Sequence, residues 1–366
     1  MSHSSNPKQL IEDNIQETIL PILREHFDNY LRTQLKDETG IPYSGSITIE
    51  DISLGEMLGP QGDFGHLEVT VKTTVDRRKI PLIVKCFDPS RIVDMAPLAN
   101  ATEFMGQLLS QDTIVKMPSL LYFSHAQLAM FFEGLSPSVG PFFSSSIDFS
   151  QRYFHAGRAL ALIHDYTFYQ VDYSRYLRRE FAAMNHLPFF ALETKRELKQ
   201  LFKANERNVK VSYGGTRSFG NYLPENIYIS RVDVPPSSPQ VFVIDPSAIN
   251  VDTNSVDRFE DIANFFSWTA LANLAIGGVL DREGIEDFLS QLGVTHFISG
   301  YNSIFEPKTT VKLTELYGEQ HTFGYHLSLY LLEMIPSALK DGILSEDQIQ
   351  NLIEGIKCLL QEQFPI

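Results

Sequence analysis

Residues 212–230 read SYGGTRSFGNYLPENIYIS, and residues 241–248 read VFVIDPSA. Upstream of them apolar residues recur at helical spacing; here that period stops. A glycine-rich stretch enters a tight turn, and IYIS and VFVI are short, β-branched runs. The proline- and serine-rich segment VPPSSP (234–239) separates the two runs, so together they read as a hairpin. Asn226 stands where the turn enters the first strand of this hairpin. Asp245 stands where the second strand ends. By residue type alone, an asparagine and an aspartate are a reasonable oxygen set for Mg²⁺.

Working toward the N-terminus, SITIEDISLG (46–55), GHLEVTVKTTV (65–75) and KIPLIVKCFD (79–88) alternate apolar and polar residues. They read as strands, as do PSLLYFS (118–124) and QLAMFFEGL (127–135), with a helix at Met95–Ser110 inserted among them. The turn LGPQGDFG, with Gly59, Gly62 and Gly65, joins the first two strands. Lys85 lies among apolar strand residues, and Glu103 lies on the inserted helix. Before the strands, Leu10, Ile11, Ile15, Ile19, Ile22, Leu23, Phe27, Tyr30 and Leu31 predict a helix over Pro7–Asp37, with Pro21 as a kink point. Beyond the strands the chain is mainly helical: Phe149–His164, then Tyr173–Lys203 with a break at Leu187–Pro188, then most of the chain after Asp257. A turn near Asp341–Gly342 divides the last helices. These divisions predict a helical extension over 1–45, a small sheet-rich lobe over 46–135 and a large helical lobe over 136–366.

The 366 residues are 43% hydrophobic and carry a net charge of −15, with no Lys/Arg run that could track a phosphate backbone. Nucleic acid is therefore not an expected partner. No stretch reaches the roughly 18 apolar residues of a membrane span, and no signal-peptide core follows the polar start; neither a membrane association nor an extracytoplasmic location is expected. Cys86 and Cys358 belong to no metal-ligand pattern. The chain has no GxxxxGK[ST] loop, no GxGxxG after a first strand and no GxSxG elbow, so three common catalytic frameworks lack support.

Taken in order, Lys85, Glu103, Asn226 and Asp245, followed by the acidic pair Asp257 and Asp261, resemble the aminoglycoside phosphotransferase and choline kinase branch of the protein-kinase-like superfamily. That family's catalytic loop runs H-G-D-x-x-P-x-N, followed by a strand ending in I-D. The positions here are Phe219, Gly220, Asn221, Pro224 and Asn226, then Ile244 and Asp245. DRFEDIANF (257–265) is similar to the helix that follows the metal aspartate, and RALALIHD (158–165) to a helix end in the large lobe. The resemblance covers residues 46–290. It implies an α+β, two-lobed protein-kinase-like fold, with a small antiparallel sheet lobe bearing one helix and a larger, mainly helical lobe.

By this resemblance Lys85, positioned by Glu103, would hold the phosphates of ATP or GTP, and the turn with Gly59, Gly62 and Gly65 would lie over them. Asn226 and Asp245 would ligate Mg²⁺, and Asp261 would brace the catalytic loop. The acceptor would be a small cationic molecule bearing a hydroxyl. The departures fall on the chemistry: the family histidine is Phe219 and the family aspartate is Asn221. An amide accepts a hydrogen bond but takes no proton near neutral pH. Losing a general base costs about 10²–10⁴ in rate. Glu225 and Asp233 are acids nearby in sequence, but neither holds the matching position. The resemblance thus leaves three alternatives: a nucleotide-binding pseudokinase, an active phosphotransferase, and an enzyme moving another part of the nucleotide.

Overall fold

Five antiparallel strands form the first sheet: β1 (Thr48–Leu58), β2 (Phe64–Lys72), β3 (Arg77–Cys86), β5 (Leu120–Ser124) and β6 (Ala129–Glu133), in the order β1-β2-β3-β6-β5. The structure is a computed structural model, and it describes residues 6–36, 39–59, 63–136, 138–145, 147–164, 174–185, 192–211, 215–217, 219–230, 239–246, 255–276, 282–305 and 322–361. The period of two sorts the strand side chains onto two faces. Ile49, Ile52, Leu67, Val69, Val71, Ile80, Leu82 and Val84 join one apolar cluster. Phe64, Ile83, Met130 and Phe132 join a second cluster with residues of helix α4 (Ile92–Leu109).

The first cluster is completed by the start of the chain. Helices α1 (Pro7–Asn14), α2 (Leu20–His26) and α3 (Asp28–Gln34), with the links between them, lay Ile11, Ile19, Ile22, Leu23, Phe27 and Leu31 on the sheet. Each such burial contributes about 1.5–3 kcal/mol, so packing holds these short helices where their own propensity would not. The single helix expected over Pro7–Asp37 is interrupted at two places. Ile15–Ile19 winds as a π-turn just before Pro21, whose nitrogen cannot donate to the preceding turn, and Phe27 leaves the helical conformation at φ −105° and ψ 3°.

A second sheet, in the order β4-β10-β9-β7, consists of β4 (Val115–Lys116), β7 (Val139–Pro141), β9 (Ile227–Ser230) and β10 (Val241–Val243). The expected hairpin is its centre: Ile227 pairs with Val243, Tyr228 with Phe242 and Ile229 with Val241. Strands β4 and β7 are too short to show a period in sequence.

By its contacts the chain divides into two units, Met1–Ser146 with Pro224–Ser247, and Ile147–Leu223 with Ala248–Ile366. This differs from the division drawn from sequence. The N-terminal helices share the core of the sheet unit, and the Asn226/Asp245 hairpin also belongs there, because β10 pairs with β4 and β9 with β7.

Among its described residues the second unit is helical apart from one small ladder of β8 (Gly215–Arg217) with β11 (Ser255–Asp257). Its helices are α5 (Phe149–Ile163), α6 (Ser174–Asn185), α7 (Leu192–Val211), α8 (Arg258–Ala275), α9 (Arg282–Gln291), α10 (Val294–Asn302), α11 (Thr322–Lys340) and α12 (Glu346–Leu360). Helices α5 and α10 touch backbone to backbone. A Cβ on Gly157 would strike the Phe297 carbonyl, and one on Gly300 would strike that of Phe154. The turn between α11 and α12 uses Gly342 at φ 68°, and Ser345 with Gln348 forms a capping box on α12. The expected break at Leu187–Pro188 lies outside the described residues, as do Gly62 and Asp233. The fold class is α+β, with a small antiparallel sheet part and a larger helical part, as the sequence implied.

Candidate functional site

Lys85 is placed by the alternation of β3. Leu82 and Val84 face the N-terminal helices, so Ile83 and Lys85 face the other way. Its side chain is 5% exposed, and Nζ lies 4.2 Å from the centre of the Phe64 ring and 5.7 Å from that of Phe87. A cation so enclosed needs counter-charges. Two are present: Asp63 Oδ2 at 3.4 Å and Asp245 Oδ1 at 3.6 Å. Asp63 Oδ2 also lies 3.6 Å from Nη1 of Arg91, whose Nε binds Asp94 at 3.1 Å. Partial burial opposes the Arg91 charge, but Asp94 and Asp63 outweigh it and hold the guanidinium above its ordinary value.

The expected pairing of Lys85 with Glu103 is not made. Helix α4 turns Met95, Leu98, Ala99, Thr102 and Met105 inward at helical spacing, which leaves Glu103 on its exposed side. There Glu103 lines a separate cavity of about 910 Å³ with Lys116 and Glu133. The position on α4 that faces the lysine's side of the sheet is thus apolar, and the carboxylate partner comes from the turn before β2 instead. Asp63 carries no signal in the sequence, because aspartate is ordinary in a glycine-rich turn.

The register of the hairpin positions the other two expected residues. One step beyond the Ile227–Val243 pair, the Ile244 N–H donates to the Asn226 carbonyl at 3.0 Å, which sets Asn226 beside the Ile244–Asp245 strand end. Asn226 is fully buried, and Asp245 is 8% exposed. Asp245 holds φ 58°, a left-handed conformation seldom adopted outside glycine. Gly59, at φ 83°, donates its N–H to the Tyr228 hydroxyl at 3.2 Å, and a Cβ added to it would sit 3.5 Å from Asn226 Oδ1. Gly65 plays a different part from the one expected. Its missing side chain faces Leu54 and Ile11, so it serves packing against the N-terminal helices.

Lys85, Asp63, Asp245, Asn226 and Gly59 therefore share one unit and one neighbourhood. Among the described residues no three His, Cys, Asp or Glu side chains converge on a metal position. A cation held here would take oxygen from Asn226 and Asp245 and fill its remaining positions from a ligand or water. That donor set fits Mg²⁺, which keeps several waters and binds few side chains.

In the second unit, Asp261 on α8 braces the loop that contains Asn221. Its carboxylate accepts from the N–H groups of Phe219 at 2.8 Å and Gly220 at 3.1 Å. It also meets Nε2 of His164 at 3.1 Å, while Nδ1 of His164 lies 2.8 Å from the Tyr301 hydroxyl. Gly220 takes φ 76°. Phe219 is fully buried and stands edge-on to Tyr222, whose hydroxyl donates to the Ala156 carbonyl at 2.6 Å. Burial, and then the charge of Asp261, push the Tyr222 phenol well up. Asn221 is half-buried. Glu225, in the first unit, is also half-buried, and burial raises its carboxyl.

A further network had no signal in sequence. Arg179 on α6 grips both oxygens of Glu333 at 2.8 and 2.7 Å and one of Glu260 at 2.8 Å, and the Tyr176 hydroxyl donates to the other Glu260 oxygen at 2.8 Å.

No family model and no curated protein matches the chain in sequence. Solved structures resemble it in shape. The choline kinase LicA from Streptococcus pneumoniae is 15% identical over 93% of this chain and 98% of its own, with a TM-score of 0.49. An ethanolamine kinase from Plasmodium vivax is 13% identical over 98% of this chain and 94% of its own, with a TM-score of 0.48. The gentamicin complex of APH(2″)-IIa is 13% identical over 87% of this chain and 94% of its own, with a TM-score of 0.47. At such distances, what this chain binds has to come from its own residues.

Proposed function

We propose that the sheet unit binds ATP, or GTP, as its magnesium complex, and that transfer to a small hydroxyl-bearing molecule is weak or absent because position 221 is asparagine. The observation that carries this reading is the buried ammonium of Lys85, held beside two carboxylates with the Gly59 turn and Asn226 close by. Phosphoryl transfer asks mainly for positioning and charge neutralisation, and this set supplies a cation, hard oxygens and a tight turn. Mg²⁺ on Asn226 and Asp245 would neutralise phosphate charge. Lys85 would orient the phosphates. The family resemblance supports a cationic acceptor such as an amino-alcohol or amino-sugar, and use of ATP suits a cytoplasmic setting. Absence of a Lys85–Glu103 pair adds to the case for low turnover, since the lysine is held by other carboxylates.

The test is thermal unfolding with and without nucleotide. A ligand selective for the native state, at about 100 times its Kd, stabilises by about 2.7 kcal/mol, so millimolar ATP with Mg²⁺ raises the melting temperature measurably. Lys85→Ala removes a buried charge-assisted contact of about 1.5–3 kcal/mol and should weaken binding about tenfold to a hundredfold while the circular dichroism spectrum is retained. If neither ATP nor GTP shifts the native protein, the site is a relic and the chain is a structural module.

A further inference from the structure

We infer that Asp63 is a built-in plug: its carboxylate occupies a two-cation phosphate clamp made by Lys85 and Arg91, and the phosphates of an incoming nucleotide must displace it. This rests on the nucleotide reading above and adds to it a second phosphate-binding residue, Arg91, and a control on affinity.

The geometry is that of one anion shared by two cations. Asp63 Oδ2 lies 3.4 Å from Lys85 Nζ and 3.6 Å from Arg91 Nη1. The two cations come from opposite ends of one short connection, Lys85 near the end of β3 and Arg91 just before α4. Two positive groups converging on one carboxylate oxygen would serve equally for a phosphate oxygen, and guanidinium is well suited to that. Asp63 itself is 14% exposed in its side chain, whereas Arg91 is 49% exposed, so the clamp has a buried jaw and an accessible one. Phe64 and Phe87 flank the buried jaw, and Asp245 Oδ1, 3.6 Å from Lys85 Nζ, stays beside the lysine when Asp63 leaves. Aspartate on the turn that also carries Gly59 means that the element lying nearest the proposed phosphates brings its own competing anion. The apparent affinity is then the intrinsic one reduced by the fraction of molecules in which Asp63 has left the clamp.

Calorimetry with inorganic tripolyphosphate, ATP and Mg-ATP tests this on the full chain. Asp63→Asn keeps the shape and removes the charge, and should tighten all three ligands by about tenfold. Asp63→Ser should do the same, which guards against a fault peculiar to one variant. Arg91→Gln is expected to be nearly neutral in the native background, since it loosens the plug as well as the ligand, yet to cost about tenfold beside Asp63→Asn. That dependence on background is the signature of a shared clamp. If the native protein binds and Asp63→Asn binds no better, the plug is wrong and the nucleotide reading survives. If Asp63→Asn weakens Mg-ATP alone, Asp63 is a metal ligand and the plug is again wrong. If no variant binds any of the three, the nucleotide reading falls, and the plug with it.

Discussion

Asp261→Ala is expected to lower the unfolding free energy by about 3–5 kcal/mol, the range for removing one member of a buried charged network. The carboxylate is fully buried and serves three groups at once: the N–H groups of Phe219 and Gly220, and the His164 ring. Alanine would leave two backbone donors without their acceptor, each costing about 1–3 kcal/mol, and strand a buried imidazole. Asp261→Asn should fall between, because the amide offers one acceptor oxygen and turns a donor toward N–H groups that already donate. Urea unfolding followed by circular dichroism reads both variants. A loss below about 1 kcal/mol for alanine would show that solvent replaces the carboxylate, and that the loop is not braced by it. The same residue supports the loop that carries Asn221, so nucleotide turnover, if any, should fall along with stability.

The second large effect concerns Asn221 itself. Asn221→Asp supplies a group of the same shape that carries charge and takes a proton. If the missing carboxylate is the principal defect, the variant should raise ATP consumption with an amino-alcohol or amino-sugar acceptor by at least about tenfold. The estimate stays below the full contribution of a general base, about 10²–10⁴, because Phe219 also departs from the pattern and is locked into the core against Tyr222. Two other outcomes are informative. Brisk turnover by the native protein that slows in the aspartate variant would mean chemistry other than hydroxyl phosphorylation. Nucleotide binding without consumption by either form would leave a binding module.

Much of the sheet could be read in the sequence because period two is a local property. Val69, Val71, Leu82 and Val84 announce one face of the strands, and Lys85 then has to lie on the other. The hairpin was legible for the same reason, and its register alone places Asn226 beside Asp245. The bracing role of Asp261 was also legible, although its contact with His164 spans 97 positions along the chain. What could not be read was the choice among carboxylates. Glu103 and Asp63 are both acids at plausible distances from Lys85 in sequence. Which one arrives depends on the rotation of α4, and that is fixed by Leu98 and Met95 seeking the apolar cluster. A one-residue difference on a helix turns a side chain by about 100°, enough to send Glu103 to the exposed side. Gly65 misled for a related reason: a glycine in a turn motif can be needed by the packing behind it.

The division of the chain also bears on how it folds during synthesis. The sheet unit is interrupted, and Pro224–Ser247 returns to it only after the intervening residues 147–223 have been made. Until then β4 and β7 lack their neighbours β10 and β9, and the apolar cluster around Phe64 and Ile83 lacks Tyr228 and Ile244. A nascent chain or a fragment ending at residue 146 therefore presents open strand edges and uncovered apolar surface, the features that draw chaperones and promote aggregation. No single cut yields an independent half. The oxygen donors proposed for the metal arrive with that late hairpin, so ligand-binding competence can appear only once the translating chain has passed Asp245.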